Sequence, residues 1–105
     1  MEAEEFSVAV EQGANGTVVW VAGEVDLATS PQLDECLKSL NGAPVAVDFS
    51  MVTVIDVSGI ATIVRAMNHA AELGTSFALR DVQPMQRRVL EIAGLAEDLD
   101  LDLDG

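Results

Sequence analysis

Short strand patterns alternate with helical patterns along this chain, and this alternation is the feature that most restricts its fold. The chain opens with apolar residues at every second position, then a turn signal and a β-branched run: Phe6, Val8 and Val10, Asn15-Gly16, and residues 17–22. Period-two alternation around such a turn signal predicts an antiparallel hairpin.

Three segments with helical spacing follow the hairpin. The first begins at Thr29, Ser30 and Pro31 and has apolar residues one turn apart at Leu33, Cys36, Leu37 and Leu40. The second keeps this spacing through Ile60, Ile63, Val64, Met67 and Ala71, and stops at Gly74. The third opens near Pro84, points Met85, Val89 and Ile92 inward, and stops at Gly94. Strands are predicted between the helices at 44–49 and 76–79.

The predicted order is therefore ββαβαβα. Strand–helix–strand units require parallel pairing with right-handed crossovers, whereas the hairpin is antiparallel, so we expect an α/β fold with a mixed sheet of four or five strands. At 105 residues we expect a single domain over residues 1–105. Residues 98–105 alternate Asp and Leu, which fits either a short edge strand or a frayed acidic tail, and the sequence leaves both open.

The net charge restricts the kind of molecule that this chain can bind. Eighteen acidic residues against five Lys and Arg give a formal charge of −13, which repels phosphate backbones and anionic lipid. We therefore expect a protein partner with a basic contact surface, and neither nucleic acid nor membrane. The acidic N-terminus, which lacks a basic n-region, predicts a cytoplasmic protein. A single cysteine, Cys36, predicts neither a disulfide nor a metal cluster, and we expect no cofactor.

The start of the second helix carries the strongest candidate for function. Ser58 follows a buried run and stands where helix amides and the helix dipole favour an anion, so a phosphate could be held there. Asp56, Val57 and Gly59 form the turn around it. The structural alternative is that Ser58 caps the helix and Asp56 holds the turn.

Further along the same helix, one face is predicted to be polar and exposed. It carries Ser58, Thr62, Arg65 and His69, and it is either a docking surface or an ordinary solvated face. Distance argues against a hydrolase with Ser58 as nucleophile and His69 as base. Eleven residues of helix separate the two by about 16 Å, whereas a nucleophile and its base lie about 3 Å apart.

Three blocks of this chain resemble the STAS domains, and within them the bacterial anti-sigma factor antagonists. They are residues 23–29, residues 47–50 continuing through 56–60, and residues 89–95. The central block is the most specific, because the family places its phosphorylated serine in the pattern D-[ST]-S-G, which lands on Ser58. The first block resembles the family's partner-facing turn, which implies that Glu24, Asp26 and Thr29 contact the partner.

The resemblance implies a phosphorylation cycle. The unmodified domain binds an anti-sigma factor and frees a sigma factor; the anti-sigma factor, a serine kinase, then phosphorylates Ser58 with its own ATP and releases the domain, and a phosphatase resets it. The protein itself is then expected not to be an enzyme. Val57 departs from the family pattern, which has Ser or Thr there. The alternative is a STAS adaptor of a transporter or a stress-signalling complex, without a phosphoswitch.

Overall fold

The computed structural model describes residues 5–40, 43–92 and 100–102. Its elements, in chain order, are β1 (Ser7–Gly13), β2 (Gly16–Val25), α1 (Ser30–Lys38), β3 (Val45–Ile55), α2 (Val57–Leu73), β4 (Phe77–Arg80), α3 (Pro84–Ile92) and β5 (Asp100–Asp102). The strands form one sheet in the order β1-β2-β3-β4-β5. Only the β1–β2 pair is antiparallel, and the other pairs are parallel. The predicted mixed sheet and element order are confirmed. Of the two alternatives for the acidic tail, the structure shows the short edge strand, at residues 100–102.

The hairpin differs from its prediction by one residue. Gly13 pairs with Gly16, so the turn is Ala14-Asn15 and Gly16 already belongs to β2. Gly16 has a φ of 140°, and a Cβ there would lie 2.6 Å from the carbonyl oxygen of Pro44. Only glycine combines that backbone angle with so close an approach.

The core lies between the sheet and the helices. Apolar side chains of the three central strands and of all three helices are fully or nearly fully buried together: Val19, Val21, Val47, Phe49, Leu79, Leu33, Ile63 and Leu90. Burying a side chain of this size stabilises a fold by about 1.5–3 kcal/mol. This shared cluster fixes the helices against the sheet.

Strand β3 is longer than predicted, because it has partners beyond residue 49. It pairs along β2 up to Ile55, and two register shifts in this pairing show that β3 carries extra residues opposite β2. Strand β4 covers only residues 45–48 of β3. Beyond that point two glutamine side chains take the place of a neighbouring strand. Gln83, the residue before α3, donates to the carbonyl of Ser50, and Gln86, within α3, donates to that of Thr53.

The buried face of α3 also differs from its prediction. Met85 and Ile92 are exposed, whereas Gln86 and Leu90 are buried. The apolar spacing was misleading because the buried carbonyl oxygens of β3 require donors, and an unsatisfied buried carbonyl costs about 1–3 kcal/mol. The predicted helix stop at Gly94 lies outside the described residues, as does the tail apart from 100–102. Within the described part of the chain, no helix is both long and apolar enough to cross a bilayer.

Candidate functional site

The two turns singled out in the sequence lie side by side at one edge of the sheet. Strands β2 and β3 run parallel and pair up to Val25 and Ile55, so the loop after β2 and the turn after β3 leave the same edge. A hydrogen bond joins them directly, from the amide of Asp56 to the carbonyl of Val25, at 3.1 Å. Residues 30 positions apart in sequence thus form one surface.

Asp56, rather than Ser58, caps α2. Its Oδ1 accepts hydrogen bonds from the amides of Ser58, at 2.9 Å, and Gly59, at 3.2 Å. Ser58 is the second residue of the helix, and its side chain is half-buried. The expectation that Ser58 caps the helix is wrong, and the two amides expected to hold an anion already bond the Asp56 carboxylate.

Gly59 allows the first turn of α2 to lie directly against the end of β2. A Cβ at this position would come within 2.7 Å of the Val25 Cγ1 and Ile55 Cγ1 atoms, and within 3.0 Å of the Val25 carbonyl oxygen. Carbon atoms in contact prefer about 3.5–4.0 Å. The absent side chain therefore sets how close Ser58 lies to the loop after β2.

The loop after β2 is held by its own side chains. The carboxylate of Asp26 accepts hydrogen bonds from the amides of Ala28, at 3.0 Å, and Thr29, at 3.1 Å. The Thr29 hydroxyl donates to the carbonyl of Glu24, at 2.7 Å, and accepts from the amide of Asp26, at 2.9 Å. Asp26 and Thr29 therefore shape this loop and are half-buried, whereas Glu24 is exposed.

Two apolar side chains stand out of this edge into solvent. Leu27 is 77% exposed and Val57 is 80% exposed. We call the group formed by Glu24, Leu27, Val57 and Ser58, with Asp26 beneath it, the carboxyl-edge surface. Large exposed apolar side chains framed by acidic groups are typical of a protein-docking surface rather than of a catalytic cleft.

The predicted polar face of α2 is wrong at Thr62, which is 0% exposed. Its hydroxyl donates to the carbonyl of Ser58, at 3.1 Å, and accepts from a guanidinium nitrogen of Arg65, at 3.1 Å. The close contact of Gly59 with β2 fixes the rotation of the helix, and this turns position 62 inward. The same rotation affects the alanines near the end of α2. The apolar spacing predicted Ala71 on the buried face, but Ala70 is buried and Ala71 is exposed.

Arg65 lies at the middle of α2 and His69 toward its C-terminal end, about two and about three helical turns from Ser58. Arg65 is exposed and contacts Asp34 of α1 at 3.4 Å, and His69 is half-buried beside a cavity between α1 and α2. The four residues of the predicted face therefore do not form one surface. Only Ser58 belongs to the carboxyl-edge surface.

A buried ion pair, which sequence reasoning missed, ties three strands together. Asp48 is 1% exposed and accepts a hydrogen bond from Nε of Arg80, at 2.9 Å. Arg80 also lies over the ring of Trp20, 4.8 Å from its centroid. Burial raises the pKa of Asp48, but hydrogen bonds from Ser50 and Arg80 outweigh it, and the pKa is lowered overall. The only signal was an acid within an apolar strand run.

Among the described residues, no group of three or more His, Cys, Asp or Glu could hold a metal ion. The carboxyl-edge surface carries a serine hydroxyl, acidic groups and two exposed apolar side chains, and it belongs to a mixed sheet that opens with an antiparallel hairpin. This fold, a mixed sheet that opens with a hairpin and packs against three helices in the described residues, is that of the STAS class.

A comparison with models of protein families leads to the same fold class. The family model described as "Mlab, STAS domain" matches residues 8–103, and the chain therefore belongs to the STAS domain family. In sequence it is similar to the anti-sigma-B factor antagonist of Bacillus subtilis, with 29% identity over 98 residues, which cover 91% of this chain and 90% of that protein.

Solved structures show the same relationship. The fold is similar to the crystal structure of an anti-sigma factor antagonist from Mycobacterium paratuberculosis, with a TM-score of 0.85 and 25% identity, covering 95% of this chain and 89% of that one. It is also similar in fold to the Bacillus cell fate determinant SpoIIAA in its phosphorylated form, with a TM-score of 0.71 and 17% identity over 90% of each chain.

Proposed function

We propose that this protein is an anti-sigma factor antagonist whose carboxyl-edge surface binds an anti-sigma factor, and that phosphorylation of Ser58 releases it. The proposal rests on one observation. The serine of the family's phosphorylation pattern lies in the first turn of α2, directly after the exposed Val57, in a turn that Asp56 caps. A chemical change at Ser58 is therefore a change in the middle of the docking surface.

The geometry of the cap explains why a phosphate here would act on the partner. Because the amides of Ser58 and Gly59 already bond Asp56, they are not free to neutralise a phosphate on the serine. Its charge of about −1.5 to −2 would be displayed on the surface, beside the acidic Glu24 and Asp26. A partner that packs against Leu27 and Val57 would have to bury this strongly hydrated dianion or stay at a distance from it. Burying an unpaired charge is costly, so the phosphate would block close approach of the partner.

The phosphoryl group would come from the partner's ATP. In this step the Ser58 Oγ forms a bond to the γ-phosphorus, the bond to the bridging oxygen breaks, ADP leaves, and the serine proton is transferred to a base of the kinase. The kinase is the anti-sigma factor itself, and a separate phosphatase hydrolyses the phosphoserine. The antagonist acts as substrate and ligand and not as an enzyme, in keeping with the names of the relatives it resembles.

The test compares wild type, Ser58→Ala and Ser58→Asp, each expressed in the native host, by intact-mass spectrometry and partner pull-down. We expect one phosphate on wild type and none on Ser58→Ala, and a kinase-like partner held by Ala but not by Asp. Ser76→Ala and Ser76→Asp are matched controls, because Ser76 is exposed at the opposite edge of the sheet, just before β4. They should behave as wild type.

Two results would contradict the proposal. If no phosphate appears and both Ser58 variants capture the same partners equally, the phosphoswitch is wrong, and the protein is a constitutive STAS adaptor. If Ser76→Asp releases the partner as well as Ser58→Asp does, the effect is one of overall charge and not of the carboxyl-edge surface.

A further inference from the structure

A cavity of about 460 Å³ lies between α1 and α2, at the end of the helices away from the carboxyl-edge surface. It arises from a difference in length: α1 ends at Lys38 after 9 residues, whereas α2 continues for 17 residues to Leu73. Among the residues that the structure describes, α1 therefore leaves the last turns of α2 without a neighbouring helix. The walls there carry small side chains, Ala66 and Ala70, and the first residues of β3 and β4, Val45 and Phe77, also line the cavity.

The lining is mostly apolar and of the size that small organic ligands occupy, for which cavities of about 300–1,000 Å³ are usual. Leu37, Leu40 and Leu73 complete the apolar walls. Leu73 remains 46% exposed, because nothing in the described residues covers this side of the cavity. An apolar body placed in the cavity would cover this surface, at about 25 cal/mol for each Å² removed from water.

Three of the charged groups at the rim are paired with each other, and a fourth, the acidic Glu72, also lines the cavity. Asp34 contacts Lys38 at 3.1 Å and Arg65 at 3.4 Å. Burial raises the pKa of Asp34, but the two cations outweigh it, and the pKa is lowered overall, so the carboxylate stays ionised between them. An anionic ligand would have to compete with Asp34 for these cations. Asn68 and His69 provide hydrogen-bonding groups on the same wall.

From the cavity's volume, apolar walls and paired rim charges, we propose that it is a binding site for a small uncharged amphiphile, with an aromatic or branched aliphatic body and one hydrogen-bonding group. The site is separate from the carboxyl-edge surface and does not depend on phosphorylation of Ser58. Its occupant enters between the ends of α1 and α2.

The test titrates the purified full chain with N-phenyl-1-naphthylamine, an uncharged probe that fluoresces in apolar surroundings. We expect saturable binding of one probe per chain, with amide chemical-shift changes at Leu37, Ala66 and Phe77. Ala70→Leu, which fills the cavity, should weaken binding by about tenfold or more, equivalent to about 1.4 kcal/mol. Ala71→Leu is the matched control: it adds the same side chain at the exposed neighbouring position and should leave binding unchanged.

Three outcomes would overturn the proposal. They are the absence of saturable binding, chemical-shift changes confined to other parts of the sheet, and an equal loss of binding in Ala70→Leu and Ala71→Leu. If the anionic analogue 8-anilinonaphthalene-1-sulfonate binds more tightly than the uncharged probe, the ligand class is wrong, because the rim cations are then available to an anion. The chemical-shift map uses the unmodified chain, so the proposal remains testable if Ala70→Leu does not fold.

Discussion

Replacing Gly59 by alanine tests whether the contact between α2 and β2 positions Ser58. The added methyl would lie 2.7 Å from two side-chain carbons and 3.0 Å from the Val25 carbonyl oxygen. Overpacking of this kind costs about 1–3 kcal/mol. Alanine's higher helix propensity returns up to about 1 kcal/mol. We therefore expect a net loss of up to about 2 kcal/mol, and for a domain of about 100 residues each kcal/mol lowers Tm by about 4–8 °C.

Thermal unfolding followed by circular dichroism measures this loss. Gly13→Ala is the control, because a Cβ there would meet only the Gly16 carbonyl oxygen, at an ordinary 3.6 Å. We expect Gly13→Ala to unfold near the wild-type temperature and Gly59→Ala clearly below it. A Gly59→Ala protein at least as stable as wild type would show that helix propensity outweighs the contact, and the proposed positioning of Ser58 by Gly59 would be refuted.

Three further substitutions test other parts of the structure. Asp56→Ala removes the cap of α2 and should lower the free energy of unfolding by about 1 kcal/mol. Asp56→Asn keeps the acceptor oxygen and should retain most of this stabilisation. Urea unfolding of the two variants measures the difference. Asp48 has a lowered folded pKa, so its ionised form stabilises the fold above the ordinary pKa of about 4, and this stabilisation is lost as the pH falls through the lower folded value. In Asp48→Asn the free energy of unfolding should therefore fall less steeply as the pH is lowered. An unchanged acid-unfolding curve would show that the Asp48–Arg80 ion pair does not contribute to acid unfolding. Gln86→Leu leaves the carbonyl of Thr53 without its side-chain donor and removes one of the two donors of the Val52 carbonyl. It should destabilise the fold by about 1–3 kcal/mol, measured by chemical denaturation. A Gln86→Leu protein as stable as wild type would show that burial alone holds α3 in place.

Local patterns predicted the order of the elements well, because each pattern is a property of neighbouring residues. The hairpin, the first helix and the glycine stop at Gly74 all follow from spacing within one or two turns. Gly74 indeed ends α2 with a φ of 70°. The limits of β3 could not be predicted in this way, since its length depends on the strand opposite it and on the side chains of Gln83 and Gln86.

The same distinction applies to the faces of the helices. Apolar spacing placed Met85 and Ile92 inward, but the need for donors to β3 turned Gln86 inward instead. Spacing also placed Thr62 outward, but the contact of Gly59 with β2 sets the rotation of α2. Both errors come from polar or steric demands of a distant strand, which periodicity does not record.

By itself, the sequence determined the alternation of strands and helices, the acidic surface and the position of Ser58 at the start of a helix. Those features depend on residues close together in the chain. Only the tertiary structure decided that Asp56 occupies the helix amides, that the loop after β2 lies beside Ser58, and that a cavity separates the ends of α1 and α2. Each of these depends on parallel pairing of β2 with β3 and on helices of unequal length, which bring distant residues into contact.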